Sequence, residues 1–202
     1  MKPRMRYEPG RKAKTRAAIL DAAGRVFRRN GYHASGVDAV MKEAGFTAGG
    51  FYAHFENKDA LFSEALAHSG AEAFARHAAA LDGLTGADWV EGFLGRYLGE
   101  AHCAGPEDGC PIVALISEVS RADEAARAAF EAMVRGLVVA LETHARPANG
   151  DRVLAALAVC VGGLGLARAV RDEAYAARIL DACRAQARVI LLGADGIDAE
   201  VS

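Results

Sequence analysis

The sequence lacks the cysteine spacing of a metal centre. None of the four belongs to a C-x-x-C pair, and none stands at a metal-ligand spacing from the six histidines. The four are Cys103, Cys110, Cys160 and Cys183. In a cytosolic chain, such residues are reduced and pack as small hydrophobes. The sequence therefore predicts no metal site and no cofactor.

The residue patterns of catalysis are also missing. The sequence contains no Ser-His-Asp arrangement, no paired carboxylates and no phosphate-binding loop. The glycine-rich run at 162–165 is not a nucleotide loop, because no strand precedes it and the surrounding pattern is helical. The sequence therefore predicts a protein that is not an enzyme.

The sequence also lacks long apolar runs. We find no stretch near the ~20 apolar residues that cross a bilayer, and the first 16 residues lack the apolar core of a signal peptide. The sequence thus predicts a cytoplasmic protein with no membrane partner.

No segment alternates with a period of two over the length of a strand, whereas alanine-rich segments with helical spacing are abundant. A hydrophobic content of 52% supports a packed core. We therefore predict an all-α fold. The predicted helices cover 14–30, 37–44, 48–54, 58 onward, 88–103, 111 onward, 123–145, 151–171 and 173–192.

Charge is distributed unevenly along the chain. The first 60 residues carry twelve basic and six acidic side chains, a balance of +6, whereas the remainder carries −8. A basic module joined to an acidic body is what phosphate binding at one end requires. For residues 2–12 alone, the alternative is a disordered charged tail, which could still act as a minor-groove arm.

Residues 35–61 have the layout of a helix-turn-helix. The segment 37–44 places its apolar residues on one face, and Gly45 follows it where a left-handed residue closes a helix. Thr47 is placed to cap the second helix, 48–54, through its hydroxyl. This layout predicts a DNA-binding module.

The second helix begins with residues that are poor for helix stability. Gly49 and Gly50 each cost about 0.8–1 kcal/mol relative to alanine. In a recognition helix, glycine lets the backbone approach base edges and phosphates closely. Phe46, in the turn, is expected to pack between the two helices. The candidates for contact with base edges are Thr47, Ala48, Gly49, Gly50 and Ala53.

Five short motifs carry a family resemblance. They are Gly31-Tyr32, Val37-Asp38-Ala39-Val40, Ala44-Gly45-Phe46-Thr47, Gly50-Phe51-Tyr52-Ala53-His54-Phe55 and Asn57-Lys58-Asp59-Ala60-Leu61. Over roughly residues 14–66, the chain resembles the DNA-binding domain of TetR/AcrR-type repressors. The resemblance implies an N-terminal three-helix DNA-binding domain and a C-terminal helical domain for ligand binding and dimerisation, which we place at 1–60 and 61–202.

The same resemblance implies a homodimer that blocks transcription at a palindromic operator until a small effector binds. It implies that Tyr52, His54 and Lys58 contact phosphates. We also include Ser35 among the predicted DNA-binding residues. It also places the last two helices in the dimer interface as a four-helix bundle. Apolar residues there include Leu154, Leu157, Val161, Leu164, Ile179, Leu180 and Leu191.

An apolar stripe in the second domain could line a pocket for a hydrophobic effector. Its members are Trp89, Phe93, Tyr97, Phe130, Met133 and Leu137. Ordinary core packing is the alternative for each of them. His102, Glu118 and Arg121 could face such a cavity, although a solvated helix surface is the simpler interpretation.

Cys110 is the candidate redox residue. It stands at a predicted helix N-terminus, where the helix dipole favours the thiolate and lowers the pKa. Two alternatives follow from this cysteine: a redox or electrophile sensor on the same scaffold, and a small helical thiol enzyme that uses Cys110 with His102.

Overall fold

The computed structural model describes residues 10–107, 109–145 and 149–193. These residues contain helices and no strand, which confirms the all-α prediction. The α-helices are α1 (Arg11–Asn30), α2 (Val37–Glu43), α3 (Lys58–Ala80), α4 (Gly86–Tyr97), α5 (Glu100–Ala104), α6 (Pro111–Val119), α7 (Glu124–His144), α8 (Gly150–Ala169) and α9 (Glu173–Leu192), with a 3₁₀ helix at Ala48–Ala53. Residues 2–9 of the basic arm lie outside the described residues.

The N-terminal core forms around α1. Ile19, Val26 and Phe27 on this helix are buried against α2, the 3₁₀ helix and the first half of α3. The ring of Phe62 from α3 meets that of Phe27 edge to face, with centroids 5.3 Å apart. Such aromatic pairs stabilise a core beyond the area that they bury. This packing fixes where α2 and the 3₁₀ helix sit on the surface of α1.

The C-terminal core lies among α4, α7, α8 and α9. The predicted helix at 88–103 is in fact two helices, because Gly99 adopts an extended conformation between α4 and α5. A β-carbon at Gly99 would lie 2.6 Å from the carbonyl oxygen of Gly95, so only glycine fits this break. Arg184 of α9 donates a hydrogen bond of 2.9 Å to the carbonyl of Leu98 at this break.

Two helices join the cores. The α3 helix packs in the N-terminal core through its first turns, at Leu61, and continues without interruption to Ala80 in the body. The α6 helix does the reverse: Ile112 packs in the C-terminal core, whereas Val119 packs in the N-terminal one. The division of domains at residue 60 stays a prediction, since side chains on both sides of it share the N-terminal core.

The prediction that no stretch is apolar enough for a bilayer was too strong. By length and composition alone, α8 could span a membrane. In the structure, it packs along α9, and Val153, Ala156, Cys160 and Leu164 are buried in the C-terminal core. A core helix passes the same test of hydropathy, so α8 is weak evidence for a membrane segment.

Candidate nucleic-acid interface and ligand cavity

The turn after α2 has the predicted glycine geometry. Gly45 takes a φ of +78°, its N–H donates to the carbonyl of Lys42, and the N–H of Phe46 donates to that of Met41. This pair of bonds closes a helix end by satisfying its free carbonyl groups. The expectation that Phe46 packs between the helices is wrong, since its side chain is 39% exposed.

The second helical segment is a 3₁₀ helix and not an α-helix. Consecutive glycines destabilise an α-helix. The segment is six residues long, and 3₁₀ helices occur mainly as short pieces of this kind. The predicted side-chain cap from Thr47 is absent; its carbonyl oxygen instead accepts a 3.0 Å hydrogen bond from the N–H of Gly50. Phe51 is fully buried and stacks on Phe55, which holds the segment against the core.

One face of this segment is open to solvent. Thr47, Ala48, Gly49, Tyr52 and Ala53 are exposed, and Gly50 is half-buried. A β-carbon built on Gly49 would meet no atom within 4 Å. The structure therefore presents the predicted base-contact residues together on a small, shallow surface with little side chain in the way of a ligand.

The three predicted phosphate contacts, Tyr52, His54 and Lys58, lie within or just after this segment. Tyr52 is 76% exposed. Lys58 is the first residue of α3, and its ammonium lies 4.1 Å from the centroid of the Tyr32 ring. This cation–π contact holds the charge beside a helix N-terminus, where anions bind favourably. Asn57 caps the same helix by accepting a 2.8 Å hydrogen bond from the N–H of Ala60, as the sequence pattern suggests.

His54 is half-buried, and its Nδ1 atom has no hydrogen-bond partner. Burial, together with the positive charges of Lys12 and Arg16, lowers the pKa of His54 below its usual value. At neutral pH, this side chain is therefore mostly uncharged. A phosphate contact from His54 would therefore be a neutral hydrogen bond that adds little charge.

Ser35 does not belong to this surface. Its side chain is buried, and its hydroxyl donates a 2.6 Å hydrogen bond to the carbonyl of Gly31 at the end of α1. The inclusion of Ser35 in the DNA-binding set is therefore wrong for its side chain, because the hydroxyl is occupied inside the protein.

A cavity of about 230 Å³ lies between α3, α4 and α7. Five of the six predicted pocket residues line it: Trp89, Phe93, Tyr97, Met133 and Leu137. Phe130 is not among the lining residues; it packs where the two cores meet. The sequence analysis missed four further lining residues, because they come from helices other than α4. They are Ala73, Phe74 and His77 of α3 and Ala140 of α7.

Cys110 also borders the cavity, but the predicted thiolate does not form. The side chain is buried, and burial raises the pKa of the Cys110 thiol above its usual value. The neighbouring hydroxyl of Tyr97 and the backbone N–H groups of Ile112 and Val113 oppose this rise without reversing it. The argument from the helix dipole is therefore wrong at this position, because desolvation of the anion outweighs it.

His102 cannot act as a base for that thiol. Its Nε2 atom accepts a 2.9 Å hydrogen bond from the backbone N–H of Cys110, and its Nδ1 lies 2.7 Å from the carbonyl oxygen of Tyr97. Both ring nitrogens are thus engaged by the backbone. His102 positions the chain around α5, and Arg168 of α8 donates a further hydrogen bond to its carbonyl.

Polar contacts connect the body to the N-terminal domain. The carboxylate of Glu118 on α6 accepts a hydrogen bond from the N–H of Tyr32, just after α1. Arg29 at the end of α1 forms ion pairs with Glu43 and with Glu107, which precedes α6. The interpretation of Glu118 as a solvated residue was wrong, because this side chain is half-buried and bonded to the backbone of Tyr32. Arg121 is exposed, as a solvated helix residue would be.

One group of potential metal ligands escaped the sequence analysis because it spans two helices. The Nε2 atom of His68 on α3 lies 2.5 Å from Asp21 on α1 and 3.6 Å from Glu72. The three groups are close enough to share an ion, but they already pair with one another, and they are partly exposed. The contact joins α1 to α3.

The fold defines a helical protein with an N-terminal helix-turn-helix domain and a body that contains a partly open cavity. Residues 19–65 match the family model of bacterial regulatory proteins of the tetR family. The helix-turn-helix transcriptional regulator UidR of Escherichia coli K12 is 32% identical over 76 residues, which cover 38% of this chain and 39% of UidR. The regulator LmrA of Bacillus subtilis is 30% identical over 117 residues, 57% of this chain and 62% of LmrA.

Solved structures match over most of the chain. A TetR regulator from Chloroflexus aurantiacus has a TM-score of 0.75 at 22% identity and covers 90% of this chain and 96% of its own. The reduced form of E. coli NemR has a TM-score of 0.71 at 21% identity, with coverages of 86% and 95%. Residues 19–65 are therefore a DNA-binding domain of the tetR family, and the chain as a whole shares the fold of the solved TetR regulator. The match to UidR spans about two fifths of that relative's length.

Proposed function

We propose that the protein is a transcriptional repressor that binds a palindromic operator as a homodimer and leaves it when a small hydrophobic effector binds the body. The observation that carries the proposal is the open face of the 3₁₀ helix within a helix-turn-helix domain of the TetR family. A protein that binds operator DNA would act in the cytoplasm.

Phosphate contacts position such a protein, and base contacts make it specific. We assign the first role to Tyr52, His54 and Lys58 and the second to residues 47–50 with Ala53. The assignment rests on the exposure of Thr47, Ala48, Gly49, Tyr52 and Ala53 and on the positive charges of Lys12 and Arg16 near His54.

Lys58→Ala is expected to weaken binding to all duplexes by a similar factor, since a phosphate contact carries no base information. Counterion release predicts a slope of log affinity against log salt that is shallower by about one unit. Binding measured at several salt concentrations checks this. Arg135→Ala, on an exposed turn of α7, is the control, and a Lys58 variant with the slope of that control would reject the phosphate contact.

The homodimer is proposed to form through α8 and α9. Their outer faces carry an exposed stripe of small and apolar residues that nothing in the chain covers among the described residues. On α8, the stripe consists of Leu154, Ala155, Ala158, Gly162 and Leu166; on α9, it includes Tyr175, Ala182 and Ala185, and the charged Arg178 lies over the ring of Tyr175. A two-fold dimer would hold two recognition segments ~34 Å apart, one turn of duplex.

Four of the apolar residues predicted to lie in this interface face the interior of the chain. Leu157, Leu164, Leu180 and Leu191 are buried within the chain itself, so they cannot meet a partner. Val161 and Ile179 are half-buried, and Leu154 is 49% exposed. The partner-facing side of α8 is therefore the face of Leu154 and Leu166.

The effector is proposed to bind the cavity and act through α6. This helix begins at the cavity with Pro111 and Ile112 and ends with Glu118 bonded to Tyr32 in the N-terminal domain. A ligand changes an equilibrium only by its differential affinity for two states. Movement of α6 or α3 would give the body a state in which the two recognition segments no longer match successive grooves.

Ala140→Phe is expected to abolish induction, because Ala140 lines the cavity and is only half-buried, so a ring there can occupy the space without unfolding α7. Operator affinity should stay within about twofold, and at least tenfold more effector should be needed for release. Release of fluorescent operator DNA measures both. Ala125→Phe on an exposed turn of α7 is the control. A normal response of Ala140→Phe would place the pocket elsewhere.

The cysteine-based alternatives lose their structural support, because the Cys110 thiol is buried and protonated and His102 is bound to the backbone. The direct test of the proposed function is selection of duplex fragments from a random library by the full chain. We expect an inverted repeat, and compounds that release the selected fragment would then identify the effector. Recovery of random fragments would reject the proposal.

A further inference from the structure

An aromatic ladder forms one wall of the cavity. The rings of His144, Trp89, Phe93 and Tyr97 follow one another with centroids 4.3, 5.5 and 5.4 Å apart. The first two pairs are nearly parallel, at 8° and 3°. Because the faces of these rings are largely occupied by one another, an aromatic ligand would meet mainly ring edges and would gain edge-to-face contacts in addition to burial of apolar surface.

Two polar atoms at this wall have no partner. The hydroxyl of Tyr97 is buried, and its polar neighbour is the Cys110 thiol, a weak hydrogen-bonding group that does not meet hydrogen-bond geometry with it. The Nδ1 atom of His77 is also buried and unbonded, and its ring lies 6.3 Å from that of Tyr97. A buried polar group without a partner is costly, so a ligand atom that bonds to either group gains affinity.

The charges around the cavity favour an uncharged ligand. Among the described lining residues, Asp82 is the only carboxylate, and no lysine or arginine is present. Burial lowers the pKa of His77 to about 4, so this imidazole is neutral at pH 7. An anion would find no cation in the lining itself, since Arg76, Arg96 and Arg168 act on His77 and Tyr97 from outside it, and a cation would find its only partner in the exposed Asp82.

The volume limits the size of the ligand. An apolar cavity of about 150 Å³ in another protein holds benzene. A cavity of about 230 Å³ therefore suits one substituted ring or two fused rings, and not a sugar chain or a nucleotide.

We propose that the cavity recognises uncharged aromatic compounds of one or two rings that carry a single oxygen substituent, which hydrogen-bonds to the hydroxyl of Tyr97 and to Nδ1 of His77. The proposal rests on the effector function above and specifies its ligand class.

Calorimetric titration of the full chain without DNA tests it with four probes: 4-ethylphenol, ethylbenzene, 4-ethylbenzoate and 4-ethylcyclohexanol. We expect 4-ethylphenol to bind about tenfold or more tightly than each of the others. Hydrophobicity alone predicts the opposite order for ethylbenzene. Equal or tighter binding of ethylbenzene, of the anion or of the saturated alcohol would overturn the proposal, as would no binding of any probe.

Tyr97→Phe keeps the aromatic ladder and removes the hydroxyl. It should weaken binding of 4-ethylphenol about tenfold while leaving binding of ethylbenzene unchanged, which also shows that the cavity is intact. Tyr175→Phe, an exposed tyrosine of α9, is the control. If Tyr97→Phe binds 4-ethylphenol as the control does, the assigned contact is wrong. Because no DNA is present, failure here is distinct from failure of the fragment selection that tests the repressor.

Discussion

Leu166→Glu is expected to produce monomers and to lower operator affinity by about a hundredfold or more. Leu166 is 60% exposed on the outer face of α8, so the substitution should leave the chain folded. In a two-fold interface, the two copies of this residue approach the same axis, and burial of unpaired carboxylates costs several kcal/mol. A monomer retains only one recognition segment and therefore only half of the contacts.

Sedimentation gives the oligomeric state, and titration of the selected duplex gives the affinity. Val139→Glu on α7 is the matched control, because Val139 is also 60% exposed on a helix of the body. We expect that variant to remain dimeric and to bind as the unmodified chain does. A dimeric Leu166→Glu protein would place the interface on another face.

Gly49→Glu is expected to abolish specific binding while leaving stability nearly unchanged. The position is exposed, has no positive φ, and would place a β-carbon in open space. The carboxylate would stand where the account places the DNA backbone and base edges, and juxtaposed like charges cost several kcal/mol. A loss of affinity on the order of a hundredfold or more follows.

The matched control for that variant is Gly136→Glu on α7. Gly136 is also exposed in a helical segment and has no atom within 4 Å of a built β-carbon. Thermal unfolding of both variants checks that the fold is preserved. Gly49→Glu with the affinity of Gly136→Glu would mean that the open face of the 3₁₀ helix does not contact DNA.

Local signals predicted the helices well. Gly45 closes α2 by taking a positive φ, Asn57 caps α3, and Pro111 begins α6, because each of these features depends on residues within one or two turns. The same local reasoning failed at Thr47, where two following glycines favour a 3₁₀ helix, and at Gly99, where a close approach to the backbone of Gly95 divides a predicted helix.

The site residues were harder to predict, because their surroundings come from distant parts of the chain. Helical spacing identified the α4 side of the cavity but gave no sign that His77 from α3 faces it. Leu157 and Leu166 are both apolar residues of α8, and only the packing of α9 shows that the first is internal and the second external. For Cys110, a helix-end argument ignored burial, which decides the sign of its pKa shift.

The most direct test of the central claim is the salt dependence of binding, measured for the selected duplex and for a scrambled duplex of the same length. The account predicts binding to the selected duplex that is about 10³-fold or more tighter, at a stoichiometry of two chains per duplex. It also predicts affinities that fall steeply as salt rises. Equal affinity for the two duplexes, or binding that does not respond to salt, would contradict it.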